Sequence, residues 1–146
     1  MKRHLNIPMA IALLLGVLTA GAHAQTSSAQ KVVANIPFAF HVGQTRLPPG
    51  KYTFTVVNPS SDRKILRIRN ADGRASAMIV TTSALRNATD DAKLVFHRYG
   101  DQYFFAQAQL GGDPTSLAAI KSKAERAEQQ AIANSGKRIV VVILAE

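Results

Sequence analysis

The sequence predicts a mainly β protein, either an antiparallel β-sandwich or a flattened, partly open barrel, with one C-terminal helix before the last strand. Three observations support this prediction. Short segments of alternating apolar and polar residues recur along the chain. Proline–glycine and glycine–aspartate turn sequences separate several of them. One segment near the C-terminus, rich in Ala, Lys, Glu and Gln, has the composition of a helix instead.

Length and composition favour a single domain over residues 32–146. The chain has 146 residues, of which 47% are hydrophobic and 18% charged, as in ordinary globular proteins. Its formal charge of +9 results from 18 Lys and Arg against 9 Asp and Glu. This charge favours polyanionic partners such as nucleic acid, anionic lipid or acidic glycans. The other interpretation is a basic surface that only keeps the protein soluble.

The N-terminus has the pattern of a secretory signal peptide over residues 1–24. Lys2 and Arg3 precede an apolar run at 9–17, and Ala22-His23-Ala24 is a small-x-small cleavage site. We therefore expect cleavage after Ala24, export to the periplasm or beyond, and no transmembrane segment in the product. Residues 25–31 would form a flexible linker. The chain has no Cys, so its core alone must stabilise it outside the cytosol.

The first half of the domain is predicted as strands joined by turns. The stretch 32–43 alternates, and Pro37 predicts an edge strand or a bulge there. The sequence 47–57 is a Pro-Pro-Gly turn leading into a strand. One face of that strand is formed by Tyr52, Phe54 and Val56.

The next two strands meet at the turn 70–73. A type I turn there would place Leu66 and Ile68 on one face with Met78 and Val80, and we favour that register. A two-residue Asp-Gly turn would bring Ala77 and Ile79 to that face instead, because a slip of one residue exchanges the faces. The polar stretch 81–92 is predicted to be a connection.

A second hairpin follows, with strands 93–99 and 102–109 around Gly100-Asp101. This turn puts Phe96 opposite Phe105 and His97 opposite Phe104. Apolar residues occur on both faces, so we expect other strands to cover one face and a helix to cover the other.

The helix is predicted over about 114–133, with Asp113 as N-cap, Pro114 at the first position and a conceivable break near Ser122. The last strand, about 137–145, contains a continuous apolar run. An exposed edge of that character would aggregate, so we place this strand inside the sheet.

The sequence shows no pattern typical of catalysis. The predicted mature chain has two histidines, His41 and His97, which are far apart in sequence, so we expect no metal site. There is no Gly-x-Ser-x-Gly elbow or phosphate-binding glycine loop. Asp90, Asp91 and Asp101 occupy turn contexts, where Asp commonly bonds its own backbone. We therefore predict a non-enzyme without a cofactor, and a hydrolase with an unrecognised site is an alternative.

The candidate binding surface consists of arginines and tyrosines. Arg67 and Arg69 project from one strand face, while Arg98, Tyr99 and Tyr103 surround the Gly100-Asp101 tip. Arg with Tyr could engage an anionic or sugar ligand by charge and stacking. In the alternative interpretation, Arg98 stacks on Tyr103 across its own hairpin and Arg67 is simply solvated. The aromatic–glycine strand signature of the RNA-recognition motif is missing, so no specific nucleic-acid module is predicted.

Several phrases of the sequence carry a resemblance. They are Ile36-Pro37-Phe38-Ala39-Phe40, Val42-Gly43, Leu47-Pro48-Pro49-Gly50-Lys51-Tyr52 and the run 96–104, Phe-His-Arg-Tyr-Gly-Asp-Gln-Tyr-Phe. Together they resemble a family of small exported proteins from Gram-negative bacteria, for which no activity is implied. The Leu-Pro-x-Gly-x-Tyr phrase is also similar to strand starts in prealbumin-like and immunoglobulin-like β-sandwich domains. Neither resemblance implies catalytic residues.

The function predicted from these observations is binding or interaction at the cell envelope by a non-enzymatic exported domain. The partner would be an anionic envelope component or a glycan. An alternative is a structural or assembly subunit, with a protein partner bound at a sheet edge through strand exchange of 137–145.

Overall fold

The computed structural model describes residues 30–85, 91–133 and 138–145. The predicted signal peptide and residues 25–29 of the predicted linker lie outside the described residues, and Lys31 begins the first strand. The described residues form ten strands and one helix: β1 (Lys31–Ile36), β2 (Phe40–Val42), β3 (Thr45–Leu47), β4 (Gly50–Val56), β5 (Arg63–Asn70), β6 (Ser76–Leu85), β7 (Lys93–Tyr99), β8 (Gln102–Gln109), β9 (Thr115–Ala119), α1 (Lys123–Ile132) and β10 (Ile139–Leu144).

The strands belong to one open sheet, which confirms the predicted mainly β fold with a helix before the last strand. Hydrogen-bonded neighbours follow the order β1-β4-β5-β6-β9-β8-β2-β3, and β7 joins β8 to β10. All pairs are antiparallel except β2 with β8. The predicted strand at 32–43 is divided in two, because Pro37, which lacks a backbone donor, lies between β1 and β2. Among the described strands β1 pairs only with β4, as expected for an edge.

Aromatic side chains fill the core on the inner face of the curled sheet. Tyr52, Phe54 and Val56 are buried as predicted. The Phe54 ring lies 5.6 Å from that of Phe105, although β4 and β8 are not neighbours in the sheet. The Tyr52 hydroxyl donates to the carbonyl of Pro48 at 2.6 Å, and burial raises its pKa. The Pro-Pro-Gly turn is therefore tied to the core strand that follows it.

The β5–β6 hairpin adopts the register that we did not favour. Ile68 pairs with Ala77 and Leu66 with Ile79, so Met78 and Val80 point outward. The predicted connection 81–92 is also shorter than expected, because β6 continues to Leu85 and pairs with β9. By contrast, the β7–β8 pairs that we predicted near the tip are confirmed. A bulge between Val95 and Phe96 then shifts the pairs farther from the tip.

The predicted start of the helix is wrong, because residues 115–119 form β9 between β6 and β8. Asp113 caps a turn rather than a helix: its carboxylate accepts the Thr115 N–H at 2.7 Å. The helical N-cap is Ser122, the position where a break was considered. Tertiary pairing that buries Ser116 and Leu117 outweighs the helical preference of this alanine-rich segment.

The predicted place of the last strand inside the sheet is also wrong. Among the described strands β10 pairs only with β7, and β1 comes near it without pairing. Val141 and Ile143 pack against the core, while Val140 and Val142 are 51% and 50% exposed. A continuous apolar run therefore does not require burial on both faces. Within the described parts of the chain, no helix is long and apolar enough to span a membrane.

Candidate functional site

The five predicted site residues lie at two separate places. Arg67 and Arg69 are exposed on the outer face of β5. Arg98 and Tyr103 lie on the β7–β8 hairpin, which β6 and β9 separate from β5 in the sheet. Tyr99 is buried and does not belong to either surface, which corrects the sequence prediction for that residue.

The arginines of β5 line an open groove of about 360 Å³. We call it the basic groove; its residues are Lys31, Thr53, Thr55, Arg67, Arg69, Asn70 and Ala71. Strand register explains the grouping, since Thr55 pairs with both Lys31 and Arg67, and Thr53 pairs with Arg69. Cross-strand neighbours on one face lie within side-chain reach. The groove therefore combines three cations with two hydroxyl groups.

The strand positions of this face carry charge of one sign, and Asp72 lies outside them, in the turn after β5. Across the described strands β1, β4, β5 and β6, no outward-pointing position is Asp or Glu. Gly73, in the turn after β5, leaves room for the Arg69 side chain. A Cβ at position 73 would lie 2.5 Å from Nη2 of Arg69. The Arg69 guanidinium thus rests against the turn at one end of the basic groove. Such a set of donors suits the oxygens of sulfate, phosphate or carboxylate groups.

The residues at the hairpin tip interact mainly with one another. The Arg98 guanidinium lies 5.5 Å from the centre of the Tyr103 ring, and Phe38 stacks on Tyr103 at 3.9 Å. Nε of Arg98 donates to the carbonyl of Gly100 at 2.7 Å. The alternative interpretation, in which Arg98 stacks on Tyr103 across its own hairpin, is therefore confirmed for this pair.

A polar network lies under α1, on the opposite face of β7 from the core. Nδ1 of His97 lies 2.7 Å from Oε1 of Glu125, and the Tyr99 hydroxyl donates to the same oxygen at 3.3 Å. Burial raises the pKa of Tyr99, and the charge and hydrogen bond of Glu125 raise it further, against an opposing effect of Arg138. Glu125 is itself only 4% exposed. The network therefore attaches the helix to the sheet through a buried carboxylate.

Sequence reasoning missed Glu125, although a signal was present. Ser122-x-x-Glu125 has the spacing of a capping box, and Oγ of Ser122 accepts the Glu125 N–H at 3.0 Å. The Glu125 carboxylate turns instead to His97 and Tyr99. In enzymes, a carboxylate in this position can orient a histidine for proton transfer. Metal binding is a separate point: among the described residues, no group of three or more His, Cys, Asp or Glu is placed to hold a metal ion.

Comparison with known proteins gives a partial similarity. No family model matches the chain, and no solved structure matches it. The chain is similar to Mediator of RNA polymerase II transcription subunit 6 of Coccidioides immitis (strain RS), with 33% identity over 97 residues. That match includes 65% of this chain but only 27% of the Mediator subunit, so the chain spans about a quarter of the length of that protein. A match of this extent does not establish a family.

Proposed function

We propose that this chain is a non-enzymatic exported β-domain that binds an anionic component of the cell envelope through the basic groove. One observation carries the proposal: Lys31, Arg67 and Arg69 converge beside the hydroxyl groups of Thr53 and Thr55, where the described strands β1, β4, β5 and β6 carry no carboxylate. The leader-like pattern of residues 1–24 supports export.

The geometry favours a ligand with more than one negative group. Arg67 and Arg69 are two residues apart on β5, so their side chains start about 7 Å from each other. Each guanidinium can form two parallel hydrogen bonds with one anionic group, and the threonine hydroxyls can add donors between them. Acidic glycans and the surfaces of phosphate-bearing membranes each present several negative groups.

An array of acidic and neutral glycans and lipids, probed at two salt concentrations, tests the proposal. We expect binding to acidic members that weakens as salt rises. The variant R67Q/R69Q should bind at least about tenfold more weakly, because it loses charge-assisted hydrogen bonds. The matched control R46Q/R126Q removes the same charge from exposed positions outside the groove and should retain binding. Equal losses in the two variants would show that net charge alone is responsible, and absence of binding would refute the proposal.

Export has its own test. Mass spectrometry of the protein from the periplasm or the medium should find a mature chain that begins at Gln25. Retention of the chain in the cytosol with residues 1–24 still attached would contradict export, whatever the array shows.

A second candidate function is assembly with other chains through β10. The observation that favours it is the position of β10, which pairs only with β7 among the described strands and exposes Val140, Val142 and Leu144. Apolar edge strands are the usual sites of strand exchange and strand addition.

A further inference from the structure

An apolar row crosses the same sheet face, directly beside the basic groove. The Val57 N–H donates to the carbonyl of Ile65 at 2.9 Å, and Ile65 pairs with Val80. Val57 and Val80 are 47% and 44% exposed. Met78, which is 64% exposed, lies two residues from Val80 on the same face of β6. We call Val57, Ile65 and Val80, together with Met78, the apolar row.

Arginines border the apolar row on both sides. Arg67 pairs with Met78 at one side, and Arg63 pairs with Thr82 at the other. Because side chains on one face of a strand recur every second residue, Arg63, Ile65 and Arg67 all point outward. The face therefore alternates along the strands from cationic to apolar and back to cationic.

We propose that this face docks on the surface of an anionic lipid bilayer, an inference that rests on the proposed function and names its ligand. Lipid phosphates at the surface attract the arginines, and the apolar row enters the boundary between headgroups and acyl chains. A soluble acidic polymer would satisfy the arginines but leave the apolar row in water. A bilayer provides both negative charge and an apolar layer, so it matches the two features together.

Sedimentation with vesicles, compared with binding to a soluble polyanion, tests this inference. The vesicles consist of phosphatidylcholine alone or of phosphatidylcholine with phosphatidylglycerol, and polyphosphate is the soluble probe. The variant M78Q/V80T removes apolar surface without changing charge. The control L85Q makes the same kind of change outside both the apolar row and β10, at a residue that is 86% exposed. All variants share the same N-terminal residues, so any contribution of those residues to vesicle binding cancels in the comparison.

We expect M78Q/V80T to bind anionic vesicles about tenfold more weakly than the unmodified chain and to bind polyphosphate unchanged. R67Q/R69Q should weaken binding to both probes, by about 25-fold for vesicles, since each arginine contributes about fivefold at an anionic surface. The control L85Q should bind vesicles like the unmodified chain.

Two results would overturn the bilayer proposal. One is vesicle binding by M78Q/V80T that equals that of the control. The other is an unmodified chain that binds polyphosphate but not anionic vesicles, which would leave the proposed anion-binding function intact. If the chain binds neither probe, both the bilayer inference and this form of the proposed function fail.

Discussion

A single oxygen atom, Oε1 of Glu125, connects the helix to the sheet. It is the common partner of His97 and Tyr99, and the carboxylate that carries it is buried. Removing one partner from a buried network leaves the other polar groups without the hydrogen bonds that offset their desolvation. Removing the Glu125 side chain should therefore lower the free energy of unfolding much more than removing an exposed helical glutamate.

The variant E125A should be destabilised by about 2 kcal/mol, because the hydroxyl of Tyr99 and the ring of His97 lose their buried acceptor. Urea unfolding at neutral pH measures the change. The matched control is E128A. Glu128 is on the same helix and is partly exposed, and this substitution changes helix propensity by the same amount. Equal effects of the two substitutions would show that the network does not stabilise the fold.

Tyr99 should make stability depend on alkaline pH. Its pKa in the folded state is raised above the ordinary value of 10.0, so folding favours the neutral hydroxyl. The stabilisation is fully present below pH 10.0 and is lost as the pH rises through the folded-state pKa. Phenylalanine cannot ionise, so the stability advantage of the unmodified chain over Y99F should shrink as the pH rises. Urea midpoints measured across this range test the prediction, and a constant difference would contradict it.

At the level of the element, a local helix-start signal did not determine where α1 begins. Asp113 and Pro114 have the composition of a helix start, and Asp113 does accept a backbone N–H. The same bond also closes a turn, and pairing with β6 and β8 makes the following residues a strand. Ser122 is the true N-cap.

Substituting each candidate N-cap residue distinguishes a helix that begins after Ser122 from one that begins after Asp113. S122A should cost about 1 kcal/mol and S122G only a few tenths, because glycine tolerates the cap conformation. Thermal unfolding gives the stabilities, and far-ultraviolet circular dichroism gives the helix content. D113A should leave the helical signal unchanged, since Asp113 precedes β9 rather than α1. Loss of helical signal in D113A would favour the helix start predicted from sequence.

For the whole molecule, two of the end strands of the described sheet, β1 and β10, bear on the proposed assembly. Within the part of the chain that the structure describes, β1 and β10 approach each other but do not pair, so this sheet stays open. Closure is the arrangement that removes edges completely. The proposed assembly therefore rests on β10, an apolar strand at an open edge of the described sheet.

If β10 exchanges between copies, the unmodified chain should form dimers as its concentration rises, and V142K should stay monomeric because an edge lysine opposes pairing. Light scattering after size exclusion measures the mass. The control L85K places a lysine at another exposed apolar residue, outside β10, and should behave like the unmodified chain. A strict monomer at high concentration would count against assembly.

The local sequence was sufficient to predict four features: the mainly β fold, the Pro-Pro-Gly turn, the buried strand face with Tyr52 and Phe54, and the cross-strand residue pairs next to Gly100. These features depend on neighbours in sequence, through alternation, fixed proline dihedrals and two-residue turn geometry. It also placed Arg67 and Arg69 on a strand face. Their grouping with Lys31 was not predictable, because it depends on the pairing of β1 with β4 and of β4 with β5.

Long-range pairing decided the remaining features. It made residues 115–119 a strand, turned Met78 and Val80 outward, and left β10 at an end of the sheet. Each outcome depends on which strand lies alongside, and a one-residue change of register exchanges the two faces without changing any local preference. The composition therefore predicted what kind of sheet forms, whereas packing determined which residues that sheet presents to a partner.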